Sequence, residues 1–221
     1  MDTFPRSTKV SKDKEISKLS TIIQPLLNRL PLLPGESLLS LLARLAKCNH
    51  YEPRSILSSL IKKSGEFKAR GRLGYPSRIS QFRYLEALTN VAIYDLYRAT
   101  AHAFTDILTP PEDEVEYLEL DHDLTVPLLS KGVVAKQMRS EATCQFCPLC
   151  LKSAVYHRLI WLPLACAACL EHQCLLINTC HKCGARVRIQ GVVEATCPKC
   201  KTDLREAEVV SVENDPIGLF T

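Results

Sequence analysis

Cysteine residues are concentrated in the C-terminal half of this chain. Ten of its eleven cysteines lie between Cys144 and Cys200. Where the compartment is reducing, so dense a set indicates metal binding rather than disulfides. A C-x2-C spacing lets both thiolates reach one tetrahedral ion from a tight turn. The sequence contains three clear pairs of this kind, Cys147/Cys150, Cys180/Cys183 and Cys197/Cys200.

A fourth pair must come from the stretch CAACLEHQC at 166–174. Cys166 with Cys169, and Cys169 with His172, both have the two-residue spacer. Pairing in chain order predicts two closed sites, and exchange of pairs between them is the alternative. The residues left over are expected to pack in the core, with ligation as the alternative: Cys144, Cys166 and Cys174. The predicted ligands are Cys147, Cys150, Cys169 and His172 for site one, and Cys180, Cys183, Cys197 and Cys200 for site two.

The segment between the last two pairs supports pairing in chain order. ARVRIQGVVEA, at 185–195, alternates around Gly191 and is predicted to form a β-hairpin, which makes the second unit a zinc ribbon. Gly184 can adopt the positive φ angle that a turn after a ligand requires. Both sites are closed, so we expect two structural Zn2+ ions. The common catalytic motifs are missing, and we expect no enzyme activity.

Helices are expected to position these sites. The stretch PGESLLSLLARLAKCN predicts a helix capped by Ser37, with Leu38, Leu41, Leu42, Leu45 and Ala46 on one face. A short helix is predicted at 52–63. Residues 79–104 predict two helices broken near Thr89-Asn90, typical of a helix-turn-helix or of an ordinary helical hairpin. The predicted fold is a mainly α N-terminal half with a helix-turn-helix, followed by a small α+β tandem zinc-finger/zinc-ribbon half.

The predicted organisation follows composition and charge. The segments are a disordered tail at 1–20, a helical domain at 21–110, an acidic linker at 111–140, a zinc-finger domain at 141–205 and a tail at 206–221. A basic loop carries the nucleic-acid candidates Arg70, Arg72, Arg78 and Arg83. No apolar run is long enough to span a bilayer, so we expect a soluble, cytoplasmic protein without a membrane partner.

Two segments together resemble the TniQ family of transposition proteins. The first is Pro34-Gly35-Glu36-Ser37-Leu38, continuing through Ser40, Leu42, Arg44, Ala46 and Asn49. The second is Cys147-Pro148-Leu149-Cys150, followed by Tyr156, Arg158, Trp161, Cys169, His172, Leu175 and Cys180/Cys183. The family's first zinc knuckle combines C-x2-C with C-x2-H, so the resemblance selects Cys169 and His172. Leu41 stands where the family often has tryptophan, which we interpret as repacking.

The resemblance implies a bacterial, non-catalytic adaptor in DNA transposition. Such adaptors join a target selector to an AAA+ ATPase of the TnsC/TniB type, which recruits the transposase. In CRISPR-associated transposons the selector is an effector complex with its guide RNA. The short architecture is similar to those adaptors and to the N-terminal part of TnsD, without the TnsD region that reads an attachment site. Expected partners are therefore the ATPase, the CRISPR effector complex with guide RNA, target DNA and a second copy in a homodimer. The alternative is a free-standing DNA-binding regulator.

Overall fold

The computed structural model describes residues 26–51, 74–139 and 144–212. Helix α1 spans Leu38–Cys48 and begins where predicted, because the Ser37 hydroxyl accepts a hydrogen bond from the Ser40 amide at 3.3 Å. The helix predicted at 52–63 lies outside the described residues. The apolar face predicted for α1 is buried along its whole length: Leu38, Leu41, Leu42, Leu45 and Ala46.

Two helices follow, on either side of the predicted break. Helix α2 covers Ile79–Thr89 and α3 covers Ile93–Arg98. Asn90 ends α2 with a φ of 59°, in the left-handed region that asparagine tolerates better than most residues. A 3-10 turn at Ala101–Phe104 leads into α4, Thr105–Leu108. Helices α1, α2 and α3 enclose one apolar core that includes Phe82, Leu85, Leu88, Leu96 and Tyr97.

The segment predicted as an acidic linker contains an antiparallel β-hairpin. Strand β1, Glu116–Asp121, pairs with β2, Leu124–Leu128. From Leu118 to Asp121 apolar and acidic side chains alternate, so this part of β1 exposes its carboxylates while its apolar face reaches the helical core. The residues that do so are Leu120, Val126 and Leu128. The chain therefore continues the N-terminal core through this segment.

A buried histidine ties the hairpin to the helices. The Leu129 amide donates to Nδ1 of His102 at 3.0 Å, so Nδ1 must be the acceptor. Nε2 then carries the proton and donates to the carbonyl oxygen of Pro76 at 2.9 Å. Burial lowers the pKa of His102 to about 4, which keeps the ring neutral at physiological pH.

The C-terminal half is built from short elements. Among the described residues, none of the helices is long and apolar enough to cross a bilayer. The elements, in chain order, are α5 (Lys131–Gln137), α6 (Pro148–Ser153), a 3-10 turn (Leu159–Trp161), β3 (Ala168–Cys169), β4 (Cys174–Leu175), α7 (Ile189–Glu194) and a 3-10 turn (Leu204–Glu206).

The hairpin predicted at 185–195 is wrong, because this segment forms helix α7. Its apolar residues fit both periods: Val187, Ile189 and Val193 alternate, but Ile189, Val192 and Val193 also share one helical face. Gly191 is buried in the helix, and a Cβ atom there would lie 3.1 Å from the carbonyl oxygen of Thr196. Close backbone approach, rather than a hairpin turn, is the reason for glycine at this position.

The two halves are joined by main-chain hydrogen bonds. The Ser37 amide donates to the His157 carbonyl oxygen at 3.0 Å, and the Leu159 amide donates to the Gly35 carbonyl oxygen at 2.7 Å. Ile189 of α7 packs against the apolar clusters of both halves. The segment that begins α1 therefore pairs directly with the chain between α6 and the second 3-10 turn.

Candidate metal centres

The four residues predicted for site one converge in the structure. The four ligand atoms of this group lie within 4.8 Å of one another. The same limit holds separately for the four ligand atoms of site two. In site one, Nδ1 of His172 is 3.2 Å from Sγ of Cys150 and 3.6 Å from Sγ of both Cys147 and Cys169. The Sγ atoms of Cys150 and Cys169 are 3.5 Å apart. His172 rather than Cys166 completes the group.

Local structure explains how site one is assembled. Cys147 is the N-cap of α6, and its Sγ accepts a hydrogen bond from the Cys150 amide at 3.4 Å. Pro148 occupies the first helical position, where its missing amide hydrogen is not needed. Strands β3 and β4 present Cys169 and His172 from a tight hairpin. One ligand pair thus comes from a helix start and the other from a turn.

The spacing of the ligand atoms fits a tetrahedral metal ion. Zn–S bonds of about 2.3 Å place sulfur atoms about 3.8 Å apart at the corners of a tetrahedron. Sulfur atoms at 3.5–3.7 Å without a cation would repel one another once ionised. Accordingly, the hydrogen bond with Cys150 lowers the pKa of the Cys147 thiol to about 4, whereas the same contact raises the pKa of Cys150. A divalent cation would allow all three thiols to ionise.

Three cysteines near site one lie outside the four-ligand group. Cys174 is closest, with its Sγ atom 3.5 Å from Sγ of Cys147, and it pairs across the β3–β4 hairpin with Cys169. Cys144 is buried in the same apolar cluster. Cys166 is half-buried, and its Sγ atom lies 3.5 Å from the carbonyl oxygen of Ala168. Their placement agrees with packing roles.

Site two contains the four cysteines expected from pairing in chain order. The Sγ atoms of Cys180 and Cys200 are 3.6 Å apart, and those of Cys183 and Cys197 are 3.7 Å apart. The hydroxyl of Thr202, 3.2 Å from Sγ of Cys200, lowers the pKa of that thiol to about 6. The donor set is four sulfur atoms, which again matches a soft or borderline cation such as Zn2+.

Three of the ligand turns end in the same backbone conformation. In each of them, the residue after the second ligand has a positive φ angle. In both turns of site two, the amide of that residue donates a hydrogen bond to the carbonyl oxygen of the first cysteine of the pair. Gly184 has the positive φ predicted for it, at 65°. The equivalent residues are Gln173, at 45°, and Lys201, at 61°. A left-handed conformation is unfavourable for both of these side chains.

Arg158 links site one to the rest of the C-terminal half. Its guanidinium forms an ion pair with Glu171, which lies between the two ligands of the β3–β4 hairpin. It also lies over the rings of Tyr156, at 5.6 Å, and Trp161, at 6.0 Å. The sequence offered no spacing signal for the Arg158–Glu171 pair.

A second buried network surrounds the start of α1. The Glu36 carboxylate accepts hydrogen bonds from the Ser40 hydroxyl and the Arg44 guanidinium, both at 2.7 Å, and from the Leu33 amide at 3.0 Å. The Ser40 hydroxyl in turn accepts from the His157 amide at 3.0 Å. The polar residues of the PGESLLS stretch therefore bond to the chain that follows site one.

Comparison with known protein families identifies the range of the chain that contains site one and the start of α1. The TniQ family model matches residues 27–176. The chain belongs to the TniQ family. The match contains the opening stretch of α1 and the whole of site one, and it ends four residues before Cys180. A comparison with curated proteins gave no match.

TniQ membership makes this a transposition-associated protein of a non-catalytic domain family. The sequence resemblance is confirmed at the level of the family, although the matched range ends before site two. In the TniQ segment, Ser37 and Ser40 of the helix start bond to His157, and the next residue, Arg158, forms an ion pair with Glu171 of site one. The family's two motifs thus form one structural unit.

The four arginines predicted to contact nucleic acid differ in their surroundings. Arg70 and Arg72 lie outside the described residues. Arg78 is exposed at the start of α2. Arg83 is half-buried, forms an ion pair with Glu86 at 3.0 Å and donates to the Leu120 carbonyl oxygen at 2.9 Å. Arg83 therefore helps to hold the β-hairpin against α2.

Proposed function

We propose that this TniQ protein is a non-catalytic adaptor in DNA transposition. It links a target selector, a CRISPR effector complex with its guide RNA, to an AAA+ ATPase of the TnsC/TniB type that recruits the transposase. The observation that carries the proposal is the family match over residues 27–176. An adaptor must hold two partner surfaces in a fixed relation, and the bonds between the α1 start and the 157–159 segment support such a role.

We further propose that both cysteine groups hold structural Zn2+. Cys147, Cys150, Cys169 and His172 would bind one ion, and Cys180, Cys183, Cys197 and Cys200 the other. When bound, each ion cross-links two chain segments, a contribution on the order of 10 kcal/mol to folding a small unit. Four protein ligands leave no open position for a substrate or a reactive water. This coordination supports a scaffold rather than a catalyst.

Nucleic-acid contact by the N-terminal half is part of the same proposal. Helices α2 and α3 would act as a helix-turn-helix, and exposed Arg78, with Arg70 and Arg72, would contact phosphates. Arg83 is engaged by Glu86, so its substitution would first disturb the fold. Such contacts are salt-dependent and tolerate different sequences. They would position the adaptor without selecting the target.

An affinity pull-down from the native cells tests the proposal, with and without nuclease treatment, followed by mass spectrometry. Recovery of the AAA+ ATPase with a nuclease-sensitive effector complex supports an RNA-guided adaptor. Recovery of the ATPase without an effector would keep the adaptor role and reject the CRISPR selector. Recovery of DNA without the ATPase would reject the adaptor and favour a DNA-binding regulator.

A further inference from the structure

The chain from Cys180 to Lys201 carries an excess of basic residues around site two, and the acidic residues Asp203, Glu206 and Glu208 follow it. Between Cys180 and Cys200 and at the next position, the chain has five lysine and arginine side chains and one acidic residue, Glu194. All five basic residues are exposed, whereas Glu194 is half-buried and accepts a hydrogen bond from Gln190 at 3.1 Å. We call these five residues the basic rim: Lys182, Arg186, Arg188, Lys199 and Lys201.

The geometry of site two gathers the rim on one small unit. The two C-x2-C turns place four sulfur atoms within 4.8 Å of one another, so Lys182 in one turn and Lys199 in the other flank the same site. Arg186 forms an antiparallel backbone β-bridge with Thr179, the residue directly before the first turn. Arg188 caps α7 without a hydrogen bond from its side chain. Charges that are separated in sequence are thus brought together by the ligand turns.

The rim differs from the arginines that serve the fold. Arg44, Arg83, Arg158 and Arg205 each form an ion pair with a carboxylate. Within residues 26–51, 74–139 and 144–212, no rim residue has a carboxylate within ion-pair distance. The rim side chains therefore form no ion pair with a carboxylate of the described residues.

Lys201 ends the second ligand turn of site two. Its amide donates to the Cys197 carbonyl oxygen at 3.0 Å, as the Gly184 amide donates to the Cys180 carbonyl oxygen at 2.9 Å. The two turns are equivalent, yet one has glycine and the other a lysine with a φ of 61°. Glycine would adopt this conformation without strain. Lysine adopts this conformation at some cost, as Gln173 does at the equivalent position of site one, so Lys201→Gly removes the charge without straining the turn.

We propose that the basic rim binds the phosphate backbone of duplex DNA. The proposal rests on the proposed function, since transposition brings this protein to a DNA target. A group of exposed lysine and arginine side chains on one small unit is typical of sequence-independent phosphate contact. The alternative is local charge compensation. Four thiolates with one Zn2+ carry a formal charge of −2, and nearby cations would stabilise that centre.

Lys201→Gly and a Lys182→Gln/Lys199→Gln double variant test the rim. The matched control is Lys131→Gln/Lys136→Gln, which removes the same charge from exposed positions of α5. Full-length proteins loaded with Zn2+ are titrated onto a labelled 30-base-pair duplex at several salt concentrations, by fluorescence anisotropy. Zinc content and melting temperature are measured for each variant. The same titration with a single-stranded RNA of equal length separates the two nucleic acids.

The double variant is expected to weaken duplex binding about tenfold and to reduce the slope of log K against log salt by about 2. Lys201→Gly should weaken binding about threefold while its melting temperature stays at or above the parent value, which excludes unfolding as the cause. The control should bind like the parent.

Unchanged binding by both rim variants would overturn the proposal, and a fall in zinc content with unchanged DNA binding would establish charge compensation instead. Tighter binding of RNA than of duplex DNA would overturn the assignment to DNA. None of these results affects recovery of the ATPase in the pull-down, so failure of the rim and failure of the adaptor role are distinguishable.

Discussion

The hydroxyl of Ser37 lies 3.0 Å from Nδ1 of His157, a residue 120 positions later in the chain. The same hydroxyl caps α1, so one oxygen serves both the helix start and the contact between the two halves. His157 is completely buried and packs edge-on against Trp161. The motif that begins the TniQ segment therefore depends on the motif beside site one.

Removing the Ser37 hydroxyl should destabilise the protein. Ser37→Ala loses the helix cap, about 1 kcal/mol, and leaves the buried Nδ1 of His157 without its partner, about 1 kcal/mol more. We expect a loss of about 2 kcal/mol in urea denaturation of the zinc-loaded protein. Ser153→Ala is the control, since that hydroxyl is exposed. An equal effect of both substitutions would contradict the dual role of Ser37.

Two buried histidines should make stability fall in mild acid. Burial lowers the pKa of His102 to about 4 and of His157 to about 3. In the unfolded chain histidine titrates near 6.5, so below that pH the unfolded state takes up protons that the folded state does not. The stabilisation is complete above pH 6.5 and is lost as the pH falls towards 4.

Between pH 7.0 and 5.5 each histidine should remove about 1 kcal/mol from the free energy of unfolding. The measurement is urea denaturation at both values, with bound zinc verified at each. His102→Gln and His157→Gln should each abolish about half of the difference. Variants that keep the full difference would show that other groups cause it.

Metal content should separate the ligands from the neighbouring cysteine. Cys150→Ala removes a thiolate from site one, so the purified chain should contain one zinc ion rather than two, measured by atomic emission. Cys174→Ala should retain two zinc ions, although the Cys174 sulfur lies only 3.5 Å from that of Cys147. Loss of zinc from the Cys174 variant would place Cys174 in the coordination sphere.

Substitution by alanine should change the stability of the protein in opposite directions at Gly191 and at Gly132. A Cβ at Gly191 would lie 3.1 Å from the Thr196 carbonyl oxygen and 3.3 Å from Cδ of Pro198. We expect Gly191→Ala to destabilise by about 1–3 kcal/mol despite the better helix propensity of alanine. At Gly132, in α5, the nearest atom is 3.8 Å away.

Gly132→Ala should therefore stabilise the protein by about 0.5–1 kcal/mol. Both effects are read as shifts in the urea midpoint with an unchanged slope. Stabilisation of the protein by Gly191→Ala would mean that α7 does not pack against the second ligand turn.

The sequence predicted features that depend on short-range spacing. The cysteine spacer and the capped leucine pattern of α1 are local signals, and the structure groups the eight ligand candidates as expected. The prediction of a hairpin at 185–195 failed because the β-branched residues of this segment fit both the strand period and the helix period. Only the packing of Gly191 against Thr196 decides between the two. No spacing rule could reveal the Ser37–His157 or Arg158–Glu171 contacts, because folding alone brings those residues together.

The most direct test of the adaptor role uses purified components. The zinc-loaded protein is mixed with an AAA+ ATPase of the TnsC/TniB type purified from the same cells, ATP and duplex DNA, and complex formation is followed by size-exclusion chromatography with light scattering. We predict a complex with the ATPase at micromolar concentrations, and its loss in Cys150→Ala. A folded protein with two zinc ions that never elutes with the ATPase would contradict the adaptor role.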